Sequence, residues 1–322
     1  MIIWVLCDHR PGTANQALAV AESLGLPFEL KNIDYSCFAK LPNSILCALN
    51  IFSKNCLALM NPEILNGPSP HLIISAGRRA AYVAAWIKRR SPKTKIAQIM
   101  DPGFCYDYFD LLAIPAHDNF RSRHKNIVRT IGNPHRLTPE KLSDAKQQWQ
   151  NMFAVLPSPR IGVLLGGESK GRGLTEGRAV DLLQQANNLA AKYKASLLIS
   201  SSRRTPQSIA GKISSLVSVP YYFYDWQSGG NNPYVGILAS AEAVIVSGDS
   251  TGMITEACGT GKPIYIYSPK GMVPVKHERL HRQLINQNQA YMLDDSINFL
   301  ASKSMPSAAS DIVAVIRKSL LS

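Results

Sequence analysis

The residues of this chain that could do chemistry stand where apolar runs stop. Residues 244–267, VIVSGDSTGMITEACGTGKPIYIY, read as strand, small-residue turn, helix, glycine stop and strand. The run Val244, Ile245, Val246 ends in Ser247 and Gly248, and Asp249, Ser250 and Thr251 then offer side-chain oxygens to the first N–H groups of a helix. Ile254, Ala257 and Cys258 follow at three- and four-residue spacing, which makes one face apolar. Such a turn presents unpaired N–H groups at the positive end of a helix, where a diphosphate would sit. Glu256 falls one helical turn further on, placed to accept hydrogen bonds from ribose hydroxyls. The stretch reads as one part of a nucleotide-sugar site.

Other turns in the second half carry the same chemistry. After Leu165 come Gly166, Gly167, Glu168, Ser169, Lys170, Gly171, Arg172 and Gly173. Glycines let backbone N–H groups approach an anion, and Lys170 and Arg172 add charge; a flexible surface loop is the plain alternative. The spacing is not that of a P-loop, and Gly261-Lys262-Pro263 fails as one because proline stands in place of the hydroxyl residue. Ser202, Arg203 and Arg204 precede Thr205-Pro206, so a hydroxyl and two guanidinium forks stand before a helix start, suited to phosphate oxygens. Asn232 and Tyr234, behind Gly229 and Gly230, suit a nucleobase or a sugar, and equally a structural cap.

The first half has turns of its own. Asp8, His9, Arg10, Pro11, Gly12, Thr13, Ala14, Asn15 and Gln16 follow the opening apolar run. Asp8 or His9 could take a proton from an acceptor hydroxyl, and Arg10, Gly12, Asn15 and Gln16 could hold an anionic acceptor; caps account for Thr13 and Asn15 as well. Ser75, Ala76, Gly77, Arg78 and Arg79 repeat the strand, glycine, arginine theme and are expected to help hold the acceptor. His117 beside Asp118 is the second choice as base after Asp8. No cluster of His, Asp or Glu has metal spacing, and there is no G-x-S-x-G elbow, so the site is expected to need no metal and no cofactor beyond its nucleotide-sugar substrate.

These turns need strands to carry them and helices to follow. Apolar runs at residues 2–7, 28–33, 72–75, 96–100, 111–114, 127–129, 161–165, 196–200, 221–224, 244–246 and 264–267 alternate with helical patterns, notably at 14–24, 79–89, 139–153, 176–192, 206–216, 233–239 and 251–258. That alternation predicts α/β architecture with parallel sheets covered on both faces. At 322 residues, with 46% hydrophobic and 18% charged residues, the chain suits two such domains. Pro157 and Pro159 mark the expected boundary: an acceptor domain over 1–156, a donor domain over 157–305, and a helix over 306–322 returning to the first. Residues 42–65 are apolar and irregular, either a helix with a loop over the sheet or a membrane-contacting surface.

The net charge of +13, from 35 basic and 22 acidic residues, suits phosphate-bearing molecules or an anionic membrane face. Clusters stand at 88–90, 121–125 and 203–204. No helix-turn-helix spacing, zinc finger or RNP-type aromatic pair accompanies them, so nucleic acid is not the expected partner. No apolar run is long enough to span a bilayer, and Asp8 and Arg10 end the first one too early for a signal peptide. The expected setting is cytoplasmic, with peripheral contact at the inner face of the membrane, and cysteines without a C-x-x-C pair are expected as free thiols.

With these turns in place the chain resembles the mitochondrial-fission family named for elongated mitochondria. The resemblance rests on the D-x-R-x-G-x-x-N-Q turn from Asp8, on His117-Asp118, Ile131-Gly132 and Pro134-His135, and on Ser202-Arg203-Arg204-Thr205-Pro206. It continues in Asn232-Pro233-Tyr234 and in Asp249-Ser250 through Met253 to Glu256-Ala257-Cys258 with Thr260-Gly261-Lys262-Pro263. It implies a GT-B-like fold, two Rossmann-type domains facing a cleft, similar to glycosyltransferases and non-hydrolysing sugar-nucleotide epimerases, and it brings Met253 into the donor site. Gly252 and Gly259 depart from commoner residues of the pattern. The implied activity is metal-independent glycosyl transfer; the alternatives are an epimerase, or a non-catalytic adaptor to membrane or protein, as for the plant member that recruits a dynamin-like protein.

Overall fold

Consecutive side chains of a strand point to opposite faces, so an unbroken apolar run such as residues 3–7 needs cover on both sides. The computed structural model, which describes residues 1–8, 10–42, 45, 56, 59–120, 124–169, 171–300 and 303–321, shows what supplies it. The chain divides into two compact units, Met1–Arg136 with Ser307–Ser322, and Leu137–Pro306.

In the first unit β1 (Ile3–Cys7), β2 (Glu29–Asn32), β3 (Leu72–Ala76), β4 (Lys95–Ile99), β5 (Leu111–Pro115) and β6 (Ile127–Thr130) form one parallel sheet in the order β2-β1-β3-β4-β5-β6. Trp4 and Leu6 join an apolar cluster with Ala80, Ala81 and Ala84 of the helix Gly77–Arg90. Ile3, Val5 and Cys7 join another, with Ala17 and Val20 of the helix Pro11–Leu24 and Ile312, Val313 and Ile316 of the helix Ala308–Ser319. Burying one such aliphatic side chain contributes about 1.5–3 kcal/mol. The strand order reverses direction between β1 and β3, so the turns that leave these two strands lie side by side.

In the second unit β7 (Arg160–Leu164), β10 (Ser196–Ser200), β11 (Tyr221–Tyr224), β12 (Ala243–Ser247), β13 (Ile264–Tyr267) and β14 (Tyr291–Met292) form a second parallel sheet, ordered β11-β10-β7-β12-β13-β14. β8 (Glu168–Ser169) and β9 (Arg172–Gly173) pair antiparallel outside it. This is the doubly wound dinucleotide-binding order, with its switch point between β7 and β12.

Four elements differ from the sequence reading. The helix Pro139–Ala154, with Thr138 accepting from the Lys141 N–H, packs on the helix Tyr234–Ser240, and Gly236 lies so close that an added Cβ would stand 2.4 Å from Trp149 Cδ1. It therefore belongs to the second unit, and the boundary falls after Arg136 instead of at residue 156. The helix expected over 206–216 is a 3-10 turn, Gln207–Lys212, followed by one turn, Ile213–Leu216, since Ser208, Gly211, Ser214 and Ser215 favour it weakly. The helix Val275–Asn286 and the two-residue β14 add to the reading: Leu280 and Leu284 give the helix a narrow apolar stripe among charges, and β14 is too short for a pattern. Most of residues 42–65, and Arg121 to Arg123 of the basic cluster, lie outside the described residues. Among the described residues no helix is long and apolar enough to cross a membrane.

Candidate functional site

Adjacent strands β10, β7 and β12 end in three turns that bond to one another in the second unit. Ser202 Oγ and Thr205 Oγ1 donate to the Gly166 carbonyl at 2.8 and 2.6 Å, and Thr205 Oγ1 also receives the Ser202 N–H at 2.8 Å. The Gly166 N–H donates to Ser247 Oγ at 2.7 Å, and the Gly167 N–H to Asp249 Oδ2 at 2.9 Å. There is no room for a side chain at either of the first two glycines: a Cβ on Gly166 would lie 2.4 Å from Asp249 Oδ2, and one on Gly167 would lie 1.9 Å from the Arg204 carbonyl oxygen. The glycines thus serve close backbone approach, but their N–H groups are taken by protein. The reading of Gly166 and Gly167 as N–H donors to a phosphate is corrected accordingly.

Asp249 is 6% exposed, and burial raises its carboxyl above the usual range, against the lowering effects of the Gly167 N–H, Ser247 and Arg204. Its role is to fasten the glycine loop. Arg204 Nη2 stands 3.7 Å from Asp249 Oδ2, and both Arg203 and Arg204 are exposed to solvent beside these turns. Lys170 lies outside the described residues.

Ser250, not Asp249 or Thr251, caps the helix Thr251–Cys258: its Oγ accepts from the Met253 N–H at 3.4 Å. Thr251 is the first helical residue, and a Cβ added at Gly252 would meet nothing within 4 Å, so this first turn has an open side. Behind the turn, His281, 4% exposed, stands with Nε2 2.9 Å from the Gly248 carbonyl. Burial keeps that imidazole below its ordinary pKa, so it is neutral and donates Nε2–H to an oxygen that can only accept.

One turn into the helix, Glu256 meets a partner from another element. The Tyr234 hydroxyl donates to Glu256 Oε2 at 2.6 Å. Burial raises the Glu256 carboxyl, and the hydrogen bond from Tyr234 works against that; the phenol is held well above its usual value by burial and by the carboxylate. Both side chains are half-buried. Asn232 Oδ1 accepts from the Tyr234 N–H at 3.0 Å, so Asn232 acts as a cap for that helix while its side chain is exposed.

In the first unit the β1 and β3 turns meet. Asp8 Oδ1 accepts from the Arg10 N–H and from Thr13 Oγ1, each at 3.0 Å, which fits an anchor of the turn as much as a base. Gly77 has φ 80°, and a Cβ there would lie 3.0 Å from Thr13 Cγ2, so the glycine serves both conformation and contact with the neighbouring turn. Gln16 is buried and donates Nε2–H to the Gly12 carbonyl; Asn15 is half-buried; Arg10 and Gly12 are exposed. Arg78 donates to the Leu41 carbonyl at 3.0 Å. Arg79, at the end of the same expected acceptor turn, lies 5.4 Å from the centroid of the Tyr35 ring; burial and the like charge of Arg10 lower its pKa.

His117, 4% exposed, follows β5, with Nε2 3.9 Å from Asp118 Oδ1. Three strand spacings, roughly 14 Å, separate the line of β5 from that of β1, so Asp8 and His117 do not act on one atom together. His9, the alternative base, lies outside the described residues.

Residues 11–319 match the family model described as Mitochondrial fission ELM1. The chain belongs to the mitochondrial fission ELM1 family. This family member is 30% identical to the protein RP120 of Rickettsia prowazekii (strain Madrid E), over 94% of each chain. Among solved structures it is similar to UDP-GlcNAc 2-epimerase from Neisseria meningitidis bound to UDP-GlcNAc, with TM-score 0.57 and 15% identity over 100% of each chain. It is similar also to MurG of Acinetobacter baumannii, with TM-score 0.54 and 13% identity over 99% of this chain and 100% of that one. At such identities the likeness shows the fold: GT-B-like, with a parallel six-stranded sheet in each unit.

Proposed function

We propose that this ELM1-family protein is a glycosyltransferase that uses a nucleotide-sugar donor. The observation that carries the reading is the arrangement at the β7–β12 switch point. The open first turn of the helix Thr251–Cys258, the exposed Arg203 and Arg204, and the Tyr234–Glu256 pair stand together at the carboxyl ends of the strands. The neighbouring epimerase structure holds UDP-GlcNAc, which supports a nucleotide sugar here.

In this reading the ribose hydroxyls donate to Glu256, held in place by Tyr234. The diphosphate meets the helix N-terminus at Ser250, Thr251 and Met253 and the guanidinium groups of Arg203 and Arg204, and Asn232 faces the nucleoside. As the glycosidic bond to the diphosphate breaks, charge grows on the leaving oxygen, and the helix end and arginines stabilise it without a metal ion. The acceptor, an anionic or membrane-borne hydroxyl compound, is assigned to the first unit. There Arg10, Arg78 and the Gly12 and Gly77 turns would hold it, and Asp8, or else His117, would take its proton. The setting is cytoplasmic, on or near the inner membrane face.

The test is thermal stability of the full chain with UDP, GDP, CMP and their sugars. One nucleotide class should raise the melting temperature, and Glu256→Ala should remove that rise while the protein stays folded. No shift with any of them sinks the donor site. Turnover of the donor with no acceptor present would make the protein an epimerase, the reading the Neisseria likeness favours.

A further inference from the structure

The chain passes from one unit to the other after Arg136 and returns after Pro306, and bonds at both passages lead to the helices of the donor site. The helix Thr251–Cys258 leaves carbonyls unmatched at its C-terminal end, as every α-helix does. Ser304 Oγ donates to the Gly259 carbonyl at 2.7 Å, and the Met305 N–H donates to the Cys258 carbonyl at 3.1 Å. Met305 is buried, so this end of the segment is seated in the second unit. Pro306 follows, with φ fixed by its ring, and Ser307 opens the helix Ala308–Ser319.

Ser307 uses its whole hydrogen-bonding capacity there. Its Oγ accepts from the Ala309 N–H at 3.3 Å and from the His135 N–H at 3.1 Å, and its O–H donates to the His135 carbonyl at 3.0 Å. A hydroxyl has one proton and two lone pairs, so all of it is engaged. One passage of the chain is thereby clasped to the other, 172 residues away in sequence. From His135 the chain runs into the helix Pro139–Ala154, which packs on the helix Tyr234–Ser240 where Trp149 meets Gly236. Tyr234 donates to Glu256 of the helix Thr251–Cys258, and the circuit closes.

We propose that this circuit makes residues 304–307 a coupler, through which occupancy of the donor site in the second unit tightens the seating of the helix Ala308–Ser319 in the core of the first. The proposal rests on the nucleotide-sugar reading. A ligand on Glu256 and at the first turn of Thr251–Cys258 restrains that helix and, through Tyr234, its neighbour. The segments bonded to the far ends of both inherit the restraint. Coupling is reciprocal, so loosening the clasp weakens the ligand by the factor by which the ligand tightens the clasp.

The experiment is amide hydrogen exchange of the full chain with and without saturating UDP, GDP or CMP, alongside titration of each nucleotide. The nucleotide that binds should slow exchange about fivefold or more in the helix Thr251–Cys258, and also at His135 and in the first turns of Ala308–Ser319. Ser307→Ala should confine that protection to the second unit and weaken the nucleotide about fivefold; Ser307→Thr, which keeps the hydroxyl, should restore both. Two glycines inserted between Pro306 and Ser307 keep every bonding group and add slack. That variant should uncouple in the same way, and it serves if Ser307→Ala does not fold. Binding with protection confined to the second unit in the parent protein overturns the proposal and leaves the donor site standing. So does protection of the first unit that persists in both Ser307→Ala and the insertion. No binding of any nucleotide removes the donor site and the proposal with it.

Discussion

Tyr234 and Glu256, 22 residues apart in sequence, are joined by a 2.6 Å hydrogen bond in which the phenol donates and the carboxylate accepts. The bond fixes one carboxylate oxygen and leaves the other for a ligand hydroxyl. Tyr234→Phe removes the contact that holds the Glu256 pKa down against burial, so the carboxyl should rise further. Nucleotide affinity, measured by titration across pH, should then fall off at a higher pH than in the parent protein. An unchanged pH profile would separate Glu256 from the ligand.

The same carboxyl sets a sign for stability. Its pKa in the folded chain lies above the unfolded value of 4.5, so its contribution is full below that value and is lost as pH rises through the folded pKa. Glu256→Gln, which still accepts from Tyr234, should raise the melting temperature at pH 8 and leave it unmoved at pH 4. Differential scanning calorimetry at the two pH values decides this.

His135 carries the opposite sign. It is 6% exposed, neither ring nitrogen has a partner among the described residues, and burial lowers its pKa from 6.5 to about 4. Stability from the neutral ring is present above 6.5 and lost as pH falls through about 4. The whole effect is on the order of 3 kcal/mol, taking about 1.4 kcal/mol per pKa unit. His135→Phe should flatten the acid limb of a denaturation curve between those values; a limb as steep as before would assign acid sensitivity elsewhere.

Two glycines on neighbouring turns should behave oppositely. Gly167→Ala drives a Cβ into the Arg204 carbonyl and should cost several kcal/mol, by the usual scale of core overpacking, or displace the arginine turn. Gly252→Ala meets open space within a helix and should add roughly 0.5–1 kcal/mol of stability. Its methyl group stands at the first turn assigned to the diphosphate, so nucleotide affinity should fall. Urea unfolding and nucleotide titration of both variants give the comparison.

Arg203 and Arg204 should separate binding from folding. Replacing both by glutamine should weaken diphosphate-containing ligands by one to two orders of magnitude, the scale of charge-assisted hydrogen bonds. The single Arg203→Gln should leave the melting temperature within about 1 °C, as for other exposed positions remote from packing.

Strands were legible in the sequence because burial on both faces leaves apolar runs with no polar interruption, as in Ile3 to Cys7 and Val244 to Val246. Turn chemistry was legible as residue types and less so as directions. Ser202 and Thr205 announced hydroxyls at a helix start, yet they hold the Gly166 carbonyl, and Asp249 turns inward to the Gly167 N–H. Such assignments depend on which strands are neighbours, and β10, β7 and β12 are brought together from distant parts of the chain. The Tyr234–Glu256 bond has the same origin. The boundary was misread because proline marks chain direction, whereas membership in a unit follows contacts such as Trp149 against Gly236.

The helix Ala308–Ser319 places Ile312, Val313 and Ile316 in the same cluster as Val5 and Ala17. During synthesis the residues of β1 therefore wait for a partner that is made only after Leu137–Pro306, a stretch that can close on itself in the interval. The order of manufacture and the order of completion run against each other: the unit begun before the other is completed only after it.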